Sequence, residues 1–143
     1  KIILPSLLLA AVAFSAFTLL APSLNFLKSE HDFGKIPQGT PVSCEFEFVN
    51  DGDAPLVLKE VKASCGCTTP EWPSEPIMPG QHQKIKAVYN AKADGSFDKT
   101  ISVYSNIGDQ VMELKLKGVV YKVSLVDDED EEKGTELKLG GSE

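Results

Sequence analysis

The chain contains no arginine; all 14 of its basic residues are lysine. Arginine's planar fork is the usual reader of phosphates and of guanine edges, so its absence argues against nucleic-acid binding. Histidine is scarce: His31 and His82 are the only two, neither neighbours a cysteine in sequence, and nothing orients either as a general base. No phosphate loop, paired catalytic carboxylates or dinucleotide fingerprint occurs, and "GSF" and "GGSE" lack the flanks of a nucleophile elbow. Hydrolase and kinase readings are left without support. Beyond the N-terminal stretch, no long segment carries apolar residues at helical spacing.

What is present points elsewhere. The 143 residues have room for one domain with an extension at each end, and 42% hydrophobic with 24% charged residues is ordinary for a globular chain. The net charge of −7 is concentrated near the C-terminus, where residues 126–143 hold eight acids against two lysines and Asp127–Glu132 is an unbroken acidic run. The remainder is close to neutral, which argues against electrostatic steering by the domain itself. The segment 127–143 is expected to be a mobile, solubilising tail.

At the N-terminus, Lys1 is followed by "IILPSLLLAAVAFSAFTLLAPSLNFL", with no charge until Lys28. A basic start followed by an apolar run predicts a secretory signal, with cleavage behind Ala21-Pro22-Ser23 and a mature chain beginning at Leu24. The alternative is an uncleaved anchor helix, because residues 2–20 approach the roughly 20 needed to cross a bilayer. Both readings export the protein to the periplasm or cell envelope, with or without membrane attachment. The expected organisation is signal or anchor over residues 1–23, a folded domain over 24–126 and the tail over 127–143.

Within the domain the apolar pattern has period two, broken by glycine, proline and Asn-Asp turns. "PVSCEFEFVN" places Val42, Cys44, Phe46 and Phe48 on one face and Ser43, Glu45 and Glu47 on the other. After the turn signal Asn50-Asp51-Gly52-Asp53, Leu56 and Leu58 share a face, and keeping Val61, Ala63 and Cys65 on it requires a bulge near Lys59-Glu60. Further strands are predicted with Ile85, Ala87 and Tyr89 inward, then Ile101 and Val103, then Met112, Leu114 and Leu116. "LKSEHDFGKI" supplies an opening strand or edge piece. Alternating lysines (Lys84, Lys86, Lys115, Lys117) are expected on solvated faces, protecting edges. About seven short strands predict an all-β, immunoglobulin-like antiparallel β-sandwich.

The motifs Phe33-Gly34, Phe46-x-Phe48-x-Asn50-x-Gly52, Ser64-Cys65-Gly66-Cys67-Thr68 and Pro79-Gly80 occur in order. Together they resemble the bacterial domain-of-unknown-function family numbered 1573, from about Phe33 to about Val120. The resemblance implies an immunoglobulin-like envelope domain, similar in outline to Hydin-type and major-sperm-protein-type sandwiches, and implies no activity. Where the family often carries histidine ("SHxFxF"), this chain has Cys44, so a metal-ligating side chain stands there in either version.

The cysteines leave several readings open. If residues 41–50 and 55–65 pair as a hairpin, Cys44 lies beside Cys65 and a Cys44–Cys65 disulfide follows, with Cys67 left over. Alternatively Cys44, Cys65 and Cys67 form a thiolate site for copper or zinc. A Cys65–Cys67 bond with redox chemistry is a third reading, and buried structural thiols are a fourth. Trp72, in a loop held by Pro70, Pro73, Pro76 and Pro79, either covers the open end of the sandwich or anchors a protein partner. The sequence is read as an exported, non-enzymatic envelope interaction module that needs no cofactor. Its rival is a periplasmic metal-binding or thiol-redox protein using the three cysteines.

Overall fold

A computed structural model describes residues 19–124. Most of the predicted signal or anchor segment, and all of the acidic tail, lie outside the described residues. Among those described, no helix is long and apolar enough to cross a membrane.

Eight strands form: β1 (Asn25–Phe26), β2 (Glu30–Pro37), β3 (Val42–Val49), β4 (Leu58–Ala63), β5 (Thr68–Glu71), β6 (His82–Tyr89), β7 (Gly95–Ser105) and β8 (Val111–Tyr121). They make two four-stranded sheets, ordered β1-β3-β6-β5 and β2-β8-β7-β4, which pack face to face as a sandwich. The period-two reading places the core correctly. Cys44, Phe46 and Phe48 on β3, Ile85, Ala87 and Tyr89 on β6, Ile101 and Val103 on β7, and Leu114 and Leu116 on β8 are all buried. Removing one such aromatic or aliphatic side chain from water is worth about 1.5–3 kcal/mol, so these inward rows fix the register. The predicted slip is also found, as a register shift between Leu58 and Glu60 that returns Val61 to the core.

Pairing departs from expectation in two ways. Residues 41–50 and 55–65 do not form a hairpin: β3 pairs with β1 and β6 in one sheet, and β4 pairs only with β7 in the other. The segment between them is a crossover, because Leu56 is held by a two-way backbone pairing with Ile77 at 2.9 and 2.8 Å instead of running back along β3. The sandwich is also not wholly antiparallel. β2 lies parallel to β8, with a register shift between Asp32 and Lys35 where Gly34 takes φ +65° and donates its N–H to Asp32 Oδ1 at 2.8 Å. The chain switches sheets between β1 and β2 without reversing, so β2 reaches the second sheet running in the direction of β8.

The lysine rows face outward but protect no edge, since β6 and β8 are interior strands. They complete charge ladders instead. Lys84 pairs with Glu45 at 2.7 Å across β3/β6, and Lys117 pairs with Glu30 across β8/β2. The edges are blunted by other means: β1 has two residues, β5 has four and includes Pro70, and β2 and β4 are bulged.

Candidate functional site

The strand registers sort the loops into two groups. Val49 faces His82, Leu58 faces Ser105 and Tyr104 faces Val111, so residues 50–57, 72–81 and 106–110 share one end of the sandwich. Val42 and Thr68 both face Tyr89, and Pro37 faces Tyr121, so residues 38–41, 64–67 and 90–94 share the other.

At the first end Asn50, which has no exposed surface, is the organising residue. Its Nδ2 donates to the carbonyls of Ala54 (2.8 Å) and Ile77 (2.9 Å), and its Oδ1 accepts from the N–H of Gly52 (3.1 Å) and of Ser23 (3.2 Å). A buried amide is tolerable only when its donors and acceptor are used, and here they are. Asn50 thus ties the crossover to the Trp72 loop and to the N-terminal segment. Ala21 adds its carbonyl to the Asp53 N–H at 2.9 Å, and a Cβ at Gly52 would strike the backbone of Ala21, Pro22 and Ser23. The fold therefore takes in residues 21–23, ahead of the domain start expected at Leu24. Asp51 is held below the usual carboxylate range by side-chain hydrogen bonds from Ser23 and then Asn25.

From that end rises the loop of Trp72, pinned through buried Ile77. Trp72 keeps 38% and Met78 50% of its surface exposed. A groove of about 500 Å³ runs along Pro73, Ser74, Glu75, Pro76, Met78, Gln81 and Gln83. The four prolines restrict the backbone, so this surface, polar along much of the groove with Trp72 and Met78 as its apolar points, is presented at low entropic cost.

The cysteines sit otherwise than a hairpin implied. Cys65 and Cys67 are bonded to each other, Cα atoms 5.3 Å apart, while Cys44 is a buried free thiol. The Cys44–Cys65 pairing of the hairpin reading is not the bond formed here: Cys44 lies on β3 beside Ala87 of β6, and Cys65 lies beyond the end of β4, in the turn that carries the chain to β5. With Cys65 and Cys67 bonded to each other, the three cysteines do not present three thiolates together to copper or zinc. Among the described residues no group of three or more histidine, cysteine or acidic side chains could hold a metal ion. Burial pushes the Cys44 thiol up to about 11. Such a cysteine behaves as a small apolar core residue.

Within the 65–67 turn, Cys67 packs on a second core cluster with Ile36, Tyr89, Ala91, Phe97 and Val120, in which the Tyr89 and Phe97 rings stack at 4.1 Å. Its carbonyl accepts from the Asn90 N–H at 3.0 Å. Thr68, buried, places Oγ1 4.0 Å from each sulfur. The histidines stay apart from all this: His31 is exposed on β2 against the Phe33 ring at 4.5 Å, and His82 is exposed at the start of β6. Sequence reasoning missed the Asn50 hub. Its signal was available in Asn50-x-Gly52, the spacing of an asparagine that caps its own turn.

A fold of this kind, two sheets around an apolar core with no assembled catalytic group in view, defines a β-sandwich domain of the immunoglobulin-like and PapD-like class. The chain belongs to the family described as "Protein of unknown function (DUF1573)", whose model matches residues 24–120. It is similar to the crystal structure of a protein of unknown function from Porphyromonas gingivalis W83, with TM-score 0.63 and 21% identity over 75% of this chain and 51% of that one. It is also similar to the ASH/PapD-like domain 7 of human CEP192, with TM-score 0.60 and 10% identity over 71% of this chain and 87% of that one. The secreted serine protease VesC from Vibrio cholerae matches with TM-score 0.53 and 14% identity over 71% of this chain and 23% of that one. The chain thus spans about half of the Porphyromonas protein and about a quarter of the protease. At these identities the likeness is one of fold alone. No curated protein matches the chain.

Proposed function

We propose that this protein is an exported, non-enzymatic interaction module of the cell envelope that receives a protein partner on the loop of Trp72. The observation that carries the reading is the partly exposed Trp72 and Met78 beside a proline-walled groove, on a loop pinned by Ile77. A rigid aromatic anchor of this kind is the usual centre of a protein–protein contact. The blunted edges favour side-chain recognition by this loop over addition of a partner strand to either sheet. Export is supported by the apolar, uncharged run from Ile2 to Leu27.

The test is site-specific photocrosslinking in cells, with the crosslinker at Met78 or, as a control at the far end of the sandwich, at Tyr121. A discrete adduct from position 78 that disappears on Trp72→Ala, and none from position 121, is the expected result. Equal labelling from both positions, or an adduct indifferent to Trp72→Ala, overturns the assignment of the surface.

A further inference from the structure

The geometry points to the Cys65–Cys67 bond as a thiol–disulfide exchange site, in which a partner protein bearing a dithiol attacks Cys65. This goes beyond the interaction role above and does not depend on Trp72. Four observations converge on it. The bond closes over a single residue, Gly66, so it removes little entropy from the unfolded chain and opening it costs the fold little. A disulfide whose only task was to hold the sandwich together would span a long loop.

The bond also lies where a thiolate can reach it. It belongs to neither sheet, Cys65 and Cys67 are both half-buried, and Gly66 between them is exposed, with open space where a side chain on it would stand. The two sulfurs are not equivalent. Cys67 is packed on the Tyr89/Phe97 cluster, whereas Cys65 belongs to neither core cluster. Attack on a disulfide runs along the S–S axis, so the sulfur that is not packed on a core cluster is the more open of the two to a thiolate. Finally, the Thr68 hydroxyl stands 4.0 Å from both sulfurs and is itself buried, on the protein side of the bond. There it can turn its O–H toward the sulfur that leaves.

The step balances without any further reagent. The partner thiolate bonds to Cys65 Sγ, the Cys65–Cys67 bond breaks, and its electron pair departs on Cys67 Sγ, which takes a proton from water under the Thr68 hydroxyl. The partner's second thiolate then attacks its own sulfur in the mixed disulfide, expelling Cys65 as thiolate, which is protonated in turn. The partner dithiol loses two electrons and two protons and becomes a disulfide; Cys65 and Cys67 become thiols. A dithiol is required because this chain holds no accessible thiol to complete the second step. Cys44 is buried and separated from β5 by the whole of β6.

The experiment uses the folded, oxidised full chain and glutathione as a monothiol probe, with acid quenching and peptide mass mapping. Glutathione should be found on Cys65 in at least about tenfold excess over Cys67, because access and the leaving group both select that sulfur. Thr68→Val, which keeps the volume of the side chain, should slow reduction by dithiothreitol several-fold at every pH, the pH profile itself following the attacking thiol; Cys44→Ser should leave the rate unchanged. A structural bond predicts neither the partition nor the dependence on the Thr68 hydroxyl. Three outcomes each overturn the proposal: adducts spread equally over both cysteines, adducts on Cys67 instead, or three free thiols in the unreduced protein. So does a native bond that stays intact under conditions where the urea-unfolded chain is fully reduced.

Discussion

The two ends of the sandwich are closed by different physics. At one, a single buried asparagine satisfies four backbone groups from three segments, so the loops there are held by hydrogen bonds that water cannot replace. At the other, a stacked Tyr89/Phe97 pair and a covalent bond over one residue do the closing. The first arrangement fails as a unit, because removing one side chain orphans several buried partners. The second is modular: the disulfide can open while the aromatic cluster stays packed. A protein that must present a reactive bond without risking its fold gains from keeping the two devices apart.

The largest break in this comparison should come from Asn50→Ala. It strands the carbonyls of Ala54 and Ile77 and the N–H groups of Gly52 and Ser23, and a loss of about 3–5 kcal/mol in urea unfolding is expected. A loss below about 1 kcal/mol would mean that water substitutes for the amide and that the end is not a cooperative unit. Gly52→Ala follows, at about 1–3 kcal/mol, because its new methyl displaces residues 21–23. Hydrogen exchange should quicken at the Asp53 amide, bonded to Ala21, more than at β6 amides. Opening the other end should cost less. The double change Cys65→Ser, Cys67→Ser is expected to remove only about 1–2 kcal/mol, in keeping with so short a loop.

Acidity sharpens the contrast further. Cys44 has its folded pKa raised to about 11 from 9.0, so the native state holds its proton more tightly than the unfolded chain. That contribution is complete below about pH 9 and is lost as pH rises toward 11, and native Cys44 should resist alkylation by iodoacetamide throughout the neutral range. Asp51 runs the other way. Its pKa is lowered in the fold by Ser23 and Asn25, so its grip on the N-terminal segment is present above the ordinary carboxylate range and fades as pH falls below it. Amide shifts of residues 23–25 in an acid titration check this. The smallest effect belongs to neither end: Glu45→Ala, on the solvent face of β3, should change stability by less than about 0.5 kcal/mol.

Much of this was readable in advance, and the failures have definite causes. Alternation identified the inward residues of β3, β6, β7 and β8, because each inner face is buried and the period is unambiguous. It even required the slip at Lys59-Glu60, since otherwise Val61 could not return to the core. Periodicity carries no information on which strands are neighbours, however. The Asn50–Asp53 turn signal is compatible with a hairpin, but the side chain of Asn50 is spent on the backbones of residues 23, 52, 54 and 77, and the chain crosses to the other sheet. The Cys44–Cys65 pairing rested on that hairpin, whereas the inward position of Cys44, read from alternation, and the Cys65–Cys67 bond, one of the readings left open, did not depend on it. Trp72 was legible as a proline-framed loop residue, but the tie of that loop to Leu56 through Ile77 is a contact 21 residues apart that no local pattern records.

The parallel pairing of β2 with β8 has a mechanical consequence. The chain enters near the Asn50 end and leaves β8 at the disulfide end, so tension applied between its two extensions slides these strands along one another. In that geometry the hydrogen bonds between them share the load, instead of parting one after another as they do when an antiparallel hairpin is peeled from its open end. The Ala21–Asp53 contact and β1 stand outside this pair and would yield first, before the sandwich itself is strained.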